Sequence, residues 1–138
     1  MLHIEVSITI RAAQSELIDR YLDYNNWHRL FPLTIKGTKL LKKQNRILVI
    51  EVDHKKAGPL INILTILSDN EIQLEEFKPI YNATFINRFD AIEDGTKFTV
   101  NACISLKGVY RIAAPFVKGL IKNRIAKFVL EPMKAYSE

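Results

Sequence analysis

The chain has 138 residues, 48% of them apolar, and a formal charge of +5. Seven Phe, five Tyr and one Trp at that apolar fraction exclude intrinsic disorder, and the length fits one domain, residues 1–138, with a core that needs no staples. A single cysteine, Cys103, excludes a disulfide framework and fits a reducing compartment.

MLHIEVSITI lacks the basic start of a signal peptide, and its apolar residues alternate with polar ones. Ile4, Val6, Ile8 and Ile10 therefore predict a strand with one buried face. The period then lengthens. Leu17, Ile18, Tyr21 and Leu22 predict an amphipathic helix, interrupted at Asn25-Asn26. Trp27, Leu30 and Phe31 form a second short helical turn that Pro32 stops.

Strands follow almost to residue 108. Ile35 to Lys43 is the first, joined by Gln44-Asn45 to Arg46–His54, where Leu48, Ile50 and Val52 share a face. Ala57-Gly58-Pro59 is a turn before Leu60 to Leu67. That run is the longest apolar one, contains Asn62 and Thr65, and is far too short to span a bilayer, so a soluble cytoplasmic protein is expected. Ile72 to Lys78 is next. Tyr81, Ala83, Phe85, Asn87 and Phe89 line a face of the following strand. Glu93-Asp94-Gly95 reads as a tight hairpin whose Asp-Gly pair tolerates positive φ. Phe98, Val100, Ala102, Ile104 and Leu106 complete the last strand. Such spacing predicts an antiparallel meander. From Ile112 the helical period returns, with Pro115 in a first turn and Val117, Ile121, Ile125 and Phe128 as one apolar stripe. Phe116, Leu120 and Leu130 fall outside that stripe, and Pro132 is expected to kink or end the helix.

The fold class is therefore α+β: a curved antiparallel sheet of about seven strands, two short helices after the first strand, and one long C-terminal helix across the apolar face. A sheet wider than one helix leaves space between the two, and such space suits a small ligand.

This order resembles the helix-grip superfamily of START, Bet v 1, polyketide cyclase/dehydrase and coenzyme Q-binding-like proteins. The resemblance covers essentially the whole chain. It rests on YLDYNNWHRLFP (21–32), FDAIEDGTKFTV (89–100) and FVKGLIKNRIAKFVLEPMKAYSE (116–138). It implies an internal site for a lipid or other hydrophobic small molecule. The alternatives are a cyclase or dehydratase, or a basic module acting on a ribosome or RNA, because fold does not dictate function.

On this reading the cavity candidates are Leu48, Ile50 and Thr65 from the early strands. Tyr81, Phe85, Asn87, Phe89, Phe98, Val100 and Ala102 come from the late hairpin, and Val117, Ile121, Ile125 and Phe128 from the roof helix. Trp27 and Phe31 are read first as core and second as guards of an opening. Asn87, a polar amide among aromatics, is the candidate partner for a ligand oxygen.

No catalytic residue, metal or other cofactor is expected. His3, His28 and His54 lack zinc-ligand spacing, and no Gly-rich phosphate loop is present. A Cys103–histidine nucleophile pair is disfavoured, because Cys103 falls on the strand face opposite Val100 and Ala102. Glu75 and Glu76 point to opposite faces, so they cannot form one acid–base dyad and are read as a solvated edge.

The charge is segregated. Residues 1–35 carry −1, 36–56 carry +5, 57–110 carry −3 and 111–138 carry +4. Lys39, Lys42, Lys43 and Arg46 mark an early hairpin, and Lys118, Lys122, Arg124 and Lys127 mark the last helix. Solvated lysines are the first reading, and an anionic membrane surface or nucleic acid the sharper ones. A monomer and a homodimer both fit the sequence.

Overall fold

Residues 1–138 are described by a computed structural model. Strand β1 (Leu2–Ile10) leads into α1 (Gln14–Leu22), a 3-10 turn (Tyr24–Asn26) and α2 (Trp27–Leu30). Strands β2 (Ile35–Gln44), β3 (Ile47–His54), β4 (Gly58–Ile66), β5 (Glu71–Phe77), β6 (Tyr81–Ile92) and β7 (Gly95–Leu106) follow as a meander. One antiparallel sheet results, in the order β1-β7-β6-β5-β4-β3-β2. The expected architecture, including both short helices after β1, is present.

Period-two alternation assigns the faces. Leu2, Ile4, Val6, Ile8 and Ile10 of β1 stand opposite Ile104, Ala102, Val100, Phe98 and Thr96 of β7. That row continues through β6 and β5 to Leu64, Asn62 and Ile50. This inner face carries most of the buried residues.

The hairpin after β6 differs from expectation. Glu93 and Asp94 both keep negative φ, and only Gly95, at φ +154°, takes the unusual conformation. Its reason is close approach: a Cβ there would collide with the Ile10 carbonyl oxygen.

The C-terminal helix also differs. It begins as a 3-10 segment (Gly108–Ala113), becomes α3 (Ala114–Ile125), widens to a π segment (Ala126–Leu130) and returns to α4 (Glu131–Ser137). Pro132 neither ends nor interrupts it. The ring cannot donate to the residue 128 carbonyl and would crowd it, and the wider i→i+5 winding just before relieves both problems. The extra residue shifts the register. Val117, Ile121 and Ile125 are followed on the buried side by Leu130 and Met133, which are at most 1% exposed. Phe128 is turned out of the stripe, half-buried beneath the Lys127 ammonium at 5.5 Å.

The two halves of this helix are held differently. Near its end, the Arg11 backbone N–H donates to the Glu138 carboxylate at 2.9 Å, and the Arg20 guanidinium stacks 5.5 Å from the Tyr136 ring. Its first half lies along β1, the strand it approaches most, and leaves Phe116 83% exposed. No helix is long and apolar enough to cross a membrane.

Candidate functional site

The concave side of the sheet has a sealed end and an open one. At the sealed end Phe89 and Phe98 stack in parallel at 4.8 Å. The Tyr21 ring lies 6.0 Å from Phe89, 5.9 Å from Trp27 and 6.5 Å from Phe31. Trp27 donates its indole N–H to the Tyr21 carbonyl at 2.9 Å. All five rings are buried. Trp27 and Phe31 are thus core residues, and Phe89 and Phe98 share that role.

At the other end the inward side chains of Leu60, Leu74, Glu76, Tyr81 and Phe85 are only half-buried, as are Val117 and Ile121 of α3 above them. Because α3 lies toward β1, the stretch of concave face on β4 and β5 is an open cleft. Its floor is apolar, with Ile50, Leu64, Ala83 and Ala102 buried. The cavity expected there is not among the best-defined hollows. The two best-defined hollows, of about 240 and 230 Å³, are instead shallow grooves on the convex face, around Cys103 and around Lys39. Cys103 does meet a histidine there, His3 Nδ1 at 3.6 Å, but away from the cleft.

A line of polar groups crosses the cleft. Asn62 is 1% exposed, and its side-chain oxygen has no hydrogen-bond partner. Glu76 stands directly opposite it on β5. Lys78 Nζ lies 3.8 Å from the Glu76 carboxylate and 5.1 Å from the centre of the Tyr81 ring. His54, inward at the end of β3, buries an unpartnered Nε2. Asn87 lies deeper and is already satisfied, donating to the Ile72 carbonyl at 3.2 Å.

Burial tunes these groups. It raises the Glu76 carboxyl above the usual carboxylate range, against the pull of the Lys78 ammonium. It raises the Tyr21 phenol strongly, with Glu76 adding to the shift and the Asn87 amide opposing it. Tyr81 rises for the same first two reasons. Burial alone would lower Lys78, but Glu76 and the Tyr81 hydroxyl outweigh it and raise it. His54 is lowered, first by burial and then by the Lys78 charge.

Of the residues singled out from the sequence, Tyr81, Phe85, Val117 and Ile121 flank the cleft, and Ile50 and Ala102 lie in its floor. Leu48, Val100 and Ile125 are buried core. Thr65 is a correction. Leu64 is the inward, fully buried residue of that strand, so Thr65 faces outward, opposite Ile47 and Gln73. Phe128 is the other correction, for the register reason above. Asn62, Lys78, His54 and Tyr21 were not among those site residues, and Glu76, expected at a solvated edge, is a further correction: it is inward, opposite Asn62, with its side chain 14% exposed. The signal was available for two of them. Asn62 shares the phase of Leu60 and Leu64, and Glu76 that of Ile72 and Leu74. The rule that separates Glu75 from Glu76 also puts one of the pair inside.

The basic residues remain exposed. Lys39, Lys42 and Lys43 lie on β2, with Arg46 in the turn after it, at one edge of the sheet. The helix with Lys118, Lys122, Arg124 and Lys127 packs toward β1, the other edge.

No family model matches the sequence, and no curated protein sequence matches it either. Solved structures do resemble it. The di-domain aromatase/cyclase StfQ from the steffimycin biosynthetic pathway superposes at a TM-score of 0.80 with 11% identity, over 98% of this chain and 50% of that one. A START superfamily protein from Mycobacterium smegmatis gives 0.78 and 14%, over 98% and 96%. A STAR-related lipid transfer protein from Xanthomonas axonopodis gives 0.69 and 14%, over 97% and 84%. The chain thus spans half of the di-domain protein and nearly all of the START protein. Its fold is the START-like helix grip.

Proposed function

We propose that this protein binds an apolar small molecule or lipid carrying at least one hydroxyl or other hydrogen-bond donor, in the cleft between the sheet and α3. The observation that carries this reading is Asn62. A buried amide oxygen without a partner costs about 1–3 kcal/mol, and a ligand donor seated over β4 and β5 removes that cost. Burial of the ligand body against Phe85, Leu74, Val117 and Ile121 supplies roughly 25 cal/mol per Å², less the cost of ordering. The shared fold with lipid-transfer and cyclase proteins supports the ligand class. The test is native mass spectrometry of freshly purified protein, followed by titration of hydroxylated and matched non-hydroxylated apolar compounds. Wild type should prefer the hydroxylated compound by at least about tenfold, and Asn62→Leu should abolish that preference. Equal affinities in wild type would sink the reading.

The Glu76–Lys78 pair favours a second reading, acid–base chemistry of the cyclase or dehydratase kind on the same ligand. Glu76→Gln would then stop turnover while leaving binding intact. Unchanged turnover would remove Glu76 as the proton carrier.

A further inference from the structure

The start of the C-terminal helix presents a face that nothing in the fold covers. Val109, Ile112, Phe116 and Leu120 are 77%, 76%, 83% and 56% exposed. Their spacing, three and then four and four, keeps them on one side as the winding passes from 3-10 to α. Ile80, 40% exposed, adjoins them, because its carbonyl accepts the Lys107 backbone N–H at 2.9 Å. A soluble domain rarely displays so much contiguous apolar surface without a partner.

The charge around this face is of one sign. From Lys107 to Leu130 the chain carries Lys107, Arg111, Lys118, Lys122, Arg124 and Lys127, with no Asp or Glu. At 100° per residue, Arg124 falls beside the Phe116–Leu120 line and Lys127 continues it beyond Leu120, whereas Lys118 and Lys122 lie toward the far side of the helix. An amphipathic segment with large apolar side chains in the middle and lysine or arginine at the sides matches the interface of a negatively charged bilayer.

We propose that this face docks on an anionic lipid surface, with Phe116 and Ile112 inserted among the acyl chains and the basic flanks against phosphate headgroups. A second copy of the chain fits poorly. A two-fold contact would set the basic segment against itself, and the segment holds no carboxylate to compensate. Nucleic acid fits poorly too, because phosphates offer nothing to Val109, Ile112 and Leu120.

The opposite side of α3, through Val117 and Ile121, borders the cleft. Resting on the ligand reading above, docking therefore places the cleft beside the membrane, where an apolar ligand passes between the two with little exposure to water.

The test is co-sedimentation of the full chain with phosphatidylcholine vesicles, with and without phosphatidylglycerol. Wild type should bind only the anionic vesicles, and added salt should weaken binding. Phe116→Asp should lower affinity at least about tenfold. Arg124→Glu with Lys127→Glu should lower it about fivefold for each unit of charge removed. Melting temperatures should not change, because these side chains are exposed. No sedimentation of wild type, equal sedimentation with neutral vesicles, or full binding by Phe116→Asp overturns the proposal. So does a dimer that Phe116→Asp dissociates, or salt-sensitive RNA binding that it leaves intact without any vesicle binding. Fluorescence of cis-parinaric acid, measured without vesicles, reads the cleft separately. Probe binding without vesicle binding defeats docking alone. Vesicle binding without binding of the probe or any hydroxylated apolar compound defeats the ligand reading alone.

Discussion

The two ends of the concave face meet on β6 and come to opposite states. At one end five aromatic rings, Ile10, Leu130 and Met133 close on each other and exclude water. At the other, Phe85, Leu74 and Tyr81 stay half-buried around Asn62 and Glu76. The difference traces to what covers each end. Helices α1, α2 and α4 close the first, and α4 is tied down by Arg11 and Arg20. Only α3 stands over the second, and it leans toward β1. A fold of this kind spends one end on stability and keeps the other adaptable. The joint between them is Tyr21, whose ring belongs to the aromatic cluster and whose phenol feels Glu76.

The largest effect should separate two phenylalanines. Phe98 is fully buried in a stacked pair, so Phe98→Ala should cost about 3–5 kcal/mol in denaturant unfolding. Phe85 keeps access to water from the cleft, so Phe85→Ala should cost less than about half as much and instead weaken binding of an apolar ligand. Equal costs would mean that the cleft is as tightly packed as the sealed end.

Two buried amides sharpen the contrast. Asn62→Leu removes a buried oxygen that has no partner, so the ligand-free protein should be unchanged or stabilised by up to about 1 kcal/mol. Asn87→Leu removes a donor that the Ile72 carbonyl uses, so it should cost about 1–2 kcal/mol. Thermal melts of the two variants should therefore move in different directions. Matching losses would show that Asn62 is satisfied in solution.

How much of this was legible depends on the periodicity at each element. The strands of the meander and the inward row from Tyr81 to Phe89 follow from alternation, and both early helices from three-to-four spacing. The cleft's polar line does not, because a buried Glu or Asn violates the apolar pattern that locates a core, and only the phase of its neighbours reveals it. The helix register was illegible for another reason. A π turn adds one residue to a repeat, and no local propensity of Ala126 to Leu130 announces it. Pro132 was the clue, expected to kink or end the helix, whereas the helix passes it after a stretch of wider winding. The openness of the cleft depends on where α3 leans, which is a matter of packing between distant segments.

The titration of the open end has signs that can be worked out. Folded Glu76 holds its proton more tightly than the unfolded chain, whose value is 4.5. Stability is full below pH 4.5 and declines as pH rises from there through the folded value. His54 acts in reverse, being lowered from 6.5, so its share of stability is lost as pH falls below 6.5. Glu76→Gln should flatten the first decline and leave the second. Melting temperatures across pH 4–8 check both, and an unaltered profile would mean that Glu76 is solvated. No such dependence should arise from the five packed rings, whose one titratable group, the Tyr21 phenol, is raised still further above this window.

The smallest expected effect carries the widest consequence. Thr65 lies outward on β4 between Ile47 and Gln73, so Thr65→Val keeps a β-branched side chain on the same face and removes only a hydroxyl. Stability should change by no more than about 0.5 kcal/mol, and ligand affinity should not change. The measurement matters because register in a strand is all or none. A slip of one residue would turn Thr65 into the cleft and carry Asn62 and Leu64 out of it together. A loss of affinity in Thr65→Val would therefore move the whole of β4, and with it the Asn62–Glu76 pair on which the site is built. Unchanged affinity in this variant, set beside a lost hydroxyl preference in Asn62→Leu, would establish which face of β4 meets the ligand.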